Sequence, residues 1–210
     1  MYVMVKNPVK FTERSVVQGI DEIENVIPPY PGWNFVEVMG HPLDSPYSHQ
    51  YTGKWLLFTP NSDFITVFRR LAKLTSELKL TGTYKASGRN EDNRDHVFCI
   101  YCNSTDIPFV RTIAETLNQE GYIEKYGYKY RDGSKAIYFK TDEATHYESQ
   151  SLGKSLTLFR YNTRMELSVK EFNENGPEWK LLGESEKDPS VIVNFRWYLE
   201  SLQFPVDDLL

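Results

Sequence analysis

The chain has 210 residues, with 29 acidic against 24 basic side chains, a formal net charge of −5, 40% hydrophobic residues and 14% aromatics. A chain of this length buries roughly 70% of its unfolded surface, so it needs no metal or disulfide to fold, and its aromatic content argues against disorder. The acidic balance argues against a general coat for duplex DNA, and no apolar run approaches the ~20 residues of a membrane span. Residues 1–11 read as an extended lead without the long apolar stretch of a secretion signal. Val16, Ile20, Ile23 and Ile27 then lie on one face of a helix expected over Thr12 to Ile27, ended by Pro28, Pro29 and Pro31. WNFVEVM (33–39) is an expected strand, residues 40–52 a loop, and GKWLLFT (53–59) an apolar strand.

Ser62 or Asp63 can cap a helix running to about Lys79, with Phe64, Val67, Phe68, Leu71, Leu74 and Leu78 as its buried stripe. Strands follow at TGTYKAS (81–87) and HVFCIYC (96–102), separated by the polar loop SGRNEDNRD. Thr105 or Asp106 caps a helix with Phe109, Val110, Ile113 and Leu117 inward, and Gly121 stops it. Strand-like pieces come next at 134–140, 155–161, 164–172 and 178–182, and a last helix starts at Ser190. The pattern predicts one α+β domain over residues 1–210: a mostly antiparallel sheet with helices packed on one side.

Cys99 and Cys102 have the C-x-x-C spacing, but a strand sends residues three apart to opposite faces, and no second pair completes a four-thiolate site. No metal and no cofactor is expected, and the cysteine usage fits a reducing cytoplasm. Phosphate-loop, dinucleotide-fingerprint, nucleophile-elbow and zinc-protease motifs are absent. Asp142 and Glu143 adjoin Thr145 and His146, yet adjacent carboxylates in a strand alternate faces.

Charge is unevenly spread. Residues 69–140 hold 13 basic and 9 acidic side chains, whereas the remainder holds 11 and 20. A positive middle in an acidic chain points to an anion site, with chance fluctuation as the plain alternative. Lys85 and Arg160 sit inside apolar strands, and Lys125, Lys129, Arg131, Lys135 and Lys140 fall within 16 residues. Converging Arg and Lys can hold a phosphate; a solvated strand face is the other reading. GYIEKYGYKYRDGSK interleaves Tyr122, Tyr126, Tyr128 and Tyr130 with cations, a mixture that stacks a base and holds its phosphate, or simply covers a sheet. Acid–base work is a further candidate. If the strands around Lys85 and His96 form a hairpin, Lys85 as base and His96 as acid could eliminate phosphate from phosphothreonine.

GKWLLF (53–58), KAS (85–87), HVFCIYC followed by an acid-capped helix, and YFKTDEATH (138–146) occur in an order that resembles the Bles family, named after basophilic leukaemia expressed protein. GHPL (40–43) ahead of a tryptophan-bearing strand is similar to the start of the same fold. The resemblance spans residues 53–161 and leaves 1–50 as an N-terminal extension and 162–210 as C-terminal strands and helix. It implies the fold of the cap-binding translation initiation factor 4E, a curved antiparallel sheet backed by helices. Some relatives are labelled phosphothreonine lyases. The cap-binding factor sandwiches its base between two loop tryptophans. Here Trp33 lies near the Pro-rich loop, Trp55 lies inside a strand, and no second loop tryptophan is evident.

Three functions are carried forward. The first is a cytosolic binding protein for a phosphorylated, nucleotide-like ligand, with Lys85, Lys129, Arg131, Lys140 and Arg160 on phosphate and Tyr128 or Trp33 stacked on a base. The second is a phosphothreonine-lyase-type enzyme using Lys85 and His96. The third is an acidic protein–protein interaction module or inhibitor that uses its acidic surface, including the tail VDDLL. The expected partners are a phosphorylated small molecule or nucleotide, or a protein, and neither membrane nor general duplex DNA.

Overall fold

The computed structural model describes residues 2–6, 14–18, 33–38, 52–77, 83–87, 95–145, 156–173 and 176–186. The last helix expected from Ser190, the loop at 88–94 and residues 40–51 lie outside them. The protein is α+β, with a mostly antiparallel, open sheet and a few helices. The chain divides into two compact units, one comprising residues 1–46 and 55–102, the other residues 47–54 and 103–210.

In the first unit, β1 (Tyr2–Lys6), β2 (Arg14–Gln18), β3 (Trp33–Val38), β5 (Thr83–Ser87) and β6 (His96–Asn103) lie in the order β6-β5-β3-β1-β2. β4 (Thr52–Thr59) neighbours β6. The helix expected over Thr12 to Ile27 is not what Arg14–Gln18 forms. These residues pair antiparallel with β1, Met4 opposite Val16 and Val3 opposite Val17. Consecutive β-branched Val16 and Val17 favour a pleated surface, and a strand partner nearby in sequence settles the competition. Residues 19–27 lie outside the description.

Helix α1 (Phe64–Glu77) begins where Asp63 accepts the first helical bond, from Val67 N at 3.0 Å. Phe64, Val67, Phe68, Leu71 and Leu74 are buried as the spacing predicts. Phe64 meets Phe98 at 5.3 Å and Phe68 meets Tyr84 at 5.8 Å between ring centroids, so the helix packs on the β5–β6 face. Each such side chain stabilises the unit by roughly 1.5–3 kcal/mol through burial.

The second unit holds α2 (Ile107–Gln119), α3 (Tyr122–Tyr126), β7 (Tyr128–Lys129), β8 (Lys135–Thr141), β9 (Phe159–Asn162), β10 (Leu167–Asn173) and β11 (Gly176–Leu181). Its strands run in the order β11-β10-β9-β8, with β7 also paired to β8. Asp106 caps α2 by accepting from Phe109 N at 3.1 Å, and Pro108 sits in the first turn, where its missing N–H costs nothing. Gly121 takes φ +75° between α2 and α3, a conformation that glycine adopts without strain. Gly127 follows α3, and a Cβ there would run into the Ile123 carbonyl oxygen.

Register and burial assign two faces to this sheet. Ile137 stands opposite Tyr161, Phe139 opposite Phe159, and Leu167 opposite Tyr161; with Val169 they are all buried. Arg111 of α2 donates to the carbonyls of Leu182 at 3.2 Å and Gly183 at 2.8 Å, tying the helix to the chain just past β11. The intervening residues Tyr138, Arg160 and Ser168 form one cross-strand row on the other face.

Candidate functional site

The second face of the second unit gathers aromatic rings and cations. Tyr138 on β8 pairs with Arg160 on β9, and Trp179 on β11 pairs with Lys170 on β10. Residues opposite each other in an antiparallel pair share a face, so long side chains there reach diagonal neighbours. The Trp179 ring accordingly lies 6.2 Å from that of Tyr138. The Arg160 guanidinium is 4.9 Å from the Trp179 centroid and 5.4 Å from that of Tyr130. The Lys170 ammonium is also 4.9 Å from Trp179. Each cation is attracted to the negative ring face, by about 0.5–1 kcal/mol when exposed and about 2 when desolvated.

Arg160 is the least satisfied group in the cluster. Its Nη2 lies 3.4 Å from Ser168 Oγ, near the limit for a hydrogen bond, and its buried Nε has no partner. It forms no ion pair with a carboxylate among the described residues. Lys170 donates to Thr157 Oγ1 at 3.2 Å.

The β7–β8 hairpin supplies the neighbouring rings. Tyr130 N donates to Ser134 O at 2.8 Å, closing the turn, and Gly133 takes φ +83° within it. The hydroxyls of Tyr130 and Tyr138 are hydrogen-bonded to each other. Burial, reinforced by that bond, raises the Tyr138 phenol well above its ordinary pKa of 10, with Arg160 partly opposing the shift. The phenol therefore stays protonated and remains a donor. Tyr128 stacks edge-on to Tyr130 at 5.6 Å and to Tyr138 at 6.4 Å, yet is 66% exposed. It offers an open ring beside the cations.

Of the site residues expected from sequence, the structure brings together Arg160 and Tyr128 through these rings. Lys140 lies two residues beyond Tyr138 on β8, on the same face by strand alternation. Lys129 alternates with Tyr128 on β7 and is exposed, as is Arg131 in the following turn. Two further members of the expected basic cluster are engaged locally. Lys135 donates to the Glu124 carbonyl and pairs with the Glu124 carboxylate at 3.5 Å, while Lys125 lies over the Tyr126 ring at 5.1 Å.

Trp33, Lys85 and His96 belong to the first unit. Trp33 stands opposite Ser87. β5 and β6 do form the antiparallel pair on which the Lys85–His96 dyad depends, but the register sets Lys85 opposite Cys99. His96 is three positions from Cys99, an odd separation that assigns positions 85 and 96 to opposite faces of the pair. His96 is buried, stacks on Phe64 at 4.1 Å and meets Asn61 Oδ1 through Nε2 at 2.9 Å. Cys99 and Cys102 are both buried, and neither forms a disulfide. Asp142 is salt-bridged to the buried Lys54, and no group of three metal-ligating side chains occurs among the described residues.

Sequence reasoning missed Tyr138, Lys170 and Trp179. The alternation within SKAIYFK and SVKEF places Tyr138 and Lys170 on the polar side of their strands. Only the cross-strand register shows that they and Trp179 meet Arg160. Among the described residues no helix is long and apolar enough to cross a membrane. No family model matches the chain, and no curated protein matches it either.

Proposed function

We propose that the protein binds a phosphorylated, nucleotide-like ligand on the aromatic and cationic face of the second unit. The observation that carries this reading is Arg160: a guanidinium with a buried, unpartnered Nε and no carboxylate, held among aromatic rings. A buried N–H without a partner is costly, and a phosphate oxygen is the acceptor that an arginine fork fits best. Tyr128 supports the second half of the ligand. Its exposed ring is a stacking platform for a base, and such stacking is worth about 1–3 kcal/mol per base. Lys140 adds positive charge on the same face, and Arg131 adds it in the hairpin turn, whereas Lys129 stands opposite Lys135, away from the face of Tyr128. The resemblance to the Bles family is consistent with a ligand on a sheet face opposite the helices, as in the initiation factor 4E-like fold. The register assigns positions 85 and 96 to opposite faces of the β5–β6 pair, so the lyase reading gains nothing from it.

Calorimetric titration with the four nucleoside 5′-monophosphates, and with ribose 5-phosphate as a ligand lacking the ring, tests the proposal. Binding of at least one nucleotide, weakened about tenfold or more by Arg160→Ala and less by Arg160→Lys, is the expected result. Equal binding of ribose 5-phosphate would remove the stacking role of Tyr128. Absence of binding by every nucleotide would overturn the reading.

A further inference from the structure

We infer that the site reads its ligand through one base face and two oxygens of one phosphate, so that it takes a purine nucleoside 5′-phosphate unit whatever extends beyond that phosphate. This rests on the binding reading above and specifies its ligand. Two groups carry it, the open ring of Tyr128 and the guanidinium of Arg160. Tyr128 stands opposite Ala136, two residues before Tyr138, and Tyr138 stands opposite Arg160. The register therefore sets both groups on one face, two strand spacings or roughly 10 Å apart across β8. Both approach the ring of Tyr130, Tyr128 at 5.6 Å and Arg160 at 5.4 Å, so they are no farther apart than those two steps together. A stacked base, its ribose and a hydrogen-bonded 5′-phosphate cover that length within one nucleotide.

One phosphate is the limit because one guanidinium is on offer. The side edge of Arg160 presents Nε, buried without a partner, beside an Nη, and such a fork matches two oxygens of a single phosphate. A phosphate monoester and a diester both carry two such oxygens. The surrounding cations have tasks of their own. Lys170 donates to Thr157 at 3.2 Å and lies over Trp179, Lys135 is bound to Glu124, Arg164 to Asp132 and Lys180 to Glu171, and Lys140 is engaged as well. Arg131 is exposed in the turn, where solvent screens its pull on a second phosphate. The base is read by its face alone. Tyr128 is exposed, and Tyr130 and Tyr138 meet it at 79° and 61°, so neither ring lies flat against it. Stacking there strengthens with the area of the base, which favours a two-ring purine over a one-ring pyrimidine.

The test measures affinity by calorimetric titration for AMP, GMP and UMP, and for the diphosphate and the phosphate methyl ester of the tighter purine nucleotide. The monophosphate, diphosphate and ester are expected to bind within about fivefold of one another, the scale of a screened surface charge. UMP should bind about fivefold or more weakly than the purine nucleotide. Tyr128→Ala should weaken the purine nucleotide about tenfold and bring it level with UMP. A larger gain from the second phosphate, or a larger loss in the ester, would reveal another cation reading the ligand and overturn the inference while leaving nucleotide binding intact. UMP binding as tightly as the purines would overturn it in the same way. Failure of every nucleotide to bind would instead overturn the binding reading beneath it. The comparisons on the unmodified protein decide the matter even if Tyr128→Ala does not fold.

Discussion

Among the described residues, one aromatic cluster surrounds an imidazole and another a guanidinium, and they differ in how completely their polar atoms are satisfied. In the first unit, His96 lies against Phe64 with its Nε2 on Asn61, and the Tyr84 hydroxyl donates to the Phe68 carbonyl at 2.9 Å. Phe64, Phe68, Tyr84, His96 and Phe98 are all buried. In the second unit, Arg160 lies against Tyr130 and Trp179 with its Nε unpartnered, and Tyr128 stands open to solvent. The first cluster is mostly phenylalanine, whereas the second is built from tyrosine, tryptophan and cations. The first is a closed core whose polar atoms are paired internally, while the second leaves donors for something else. A residue type that suggests chemistry therefore has to be read with its hydrogen bonds and its packing, because a buried histidine stacked on a ring and bonded to an asparagine belongs to the core.

The comparison breaks most visibly if the first cluster is truncated. Phe98→Ala removes a fully buried ring that touches Phe64 and Tyr84, and it should destabilise the protein by about 3–5 kcal/mol. Denaturant unfolding would read this as a lower midpoint. A loss below about 1 kcal/mol would mean that the cluster is not the packed core described. Arg160→Ala should do the opposite. It removes a cation–π partner but also an unsatisfied buried N–H, so the unfolding midpoint should move little while nucleotide affinity falls about tenfold or more. A large loss of stability with affinity retained would make Arg160 a structural residue and erase the distinction between the clusters.

Much of the architecture was legible in the residues. Phe64, Val67, Phe68, Leu71 and Leu74 recur at helical spacing, and they form the buried stripe of α1. Asp106 ahead of Pro108 marks the start of α2, and its carboxylate does cap the helix. The segment at 14–18 was not legible as a strand, because Val16 fits both a helical stripe with Ile20 and a pleat opposite Met4. Only the partner strand decides between them. The candidate site divides in the same way. Arg160 stood out as a charge in an apolar strand, and Tyr128 as an aromatic among cations. Tyr138, Lys170 and Trp179 come from three different strands, and register alone brings them together. The basic run at 125–140 looked like one patch. A helical turn and a hairpin instead distribute its members, leaving Lys135 bound to Glu124.

A smaller effect sharpens the comparison from the buried face of the same sheet. The Tyr161 hydroxyl is buried without a partner. Burial, reinforced by the negative charge of Glu115 and partly opposed by Arg111, pushes its pKa up to about 12. The folded state thus favours the neutral phenol. Its contribution is fully present below the ordinary value of 10 and is lost as pH rises through that value towards the folded one. Tyr161→Phe removes both the orphaned oxygen and this liability. It should raise stability at neutral pH by about 1 kcal/mol and flatten the alkaline fall in the unfolding midpoint. Unchanged alkaline behaviour in Tyr161→Phe would assign that fall to another group. Arg160 and Tyr161 are adjacent residues with unsatisfied polar atoms on opposite faces. The expected outcomes separate them: one substitution costs ligand, the other improves the fold.

The smallest effect concerns the turn that carries Tyr130. Asp132 accepts from Ser134 Oγ at 2.7 Å and Ser134 N at 3.0 Å, and it pairs with Arg164 at 2.9 Å across to the β9–β10 turn. Those bonds, Ser134's hydroxyl foremost, hold its carboxyl below the ordinary 3.8. A depressed folded pKa stabilises the protein above the ordinary value, and that stabilisation disappears as pH falls through the folded one. The carboxylate is exposed, so solvent and salt screen the Arg164 contact, whereas the Ser134 bonds act within the turn itself. Asp132→Asn should therefore lower the unfolding midpoint slightly at neutral pH and make no difference once the native carboxyl is protonated. High salt should leave most of the gap intact. A gap that vanishes in salt would shift the origin from the turn to the Arg164 pair. The two hairpin tips would then be joined by charge alone, and the position of Tyr130 beside Arg160 would depend on ionic strength.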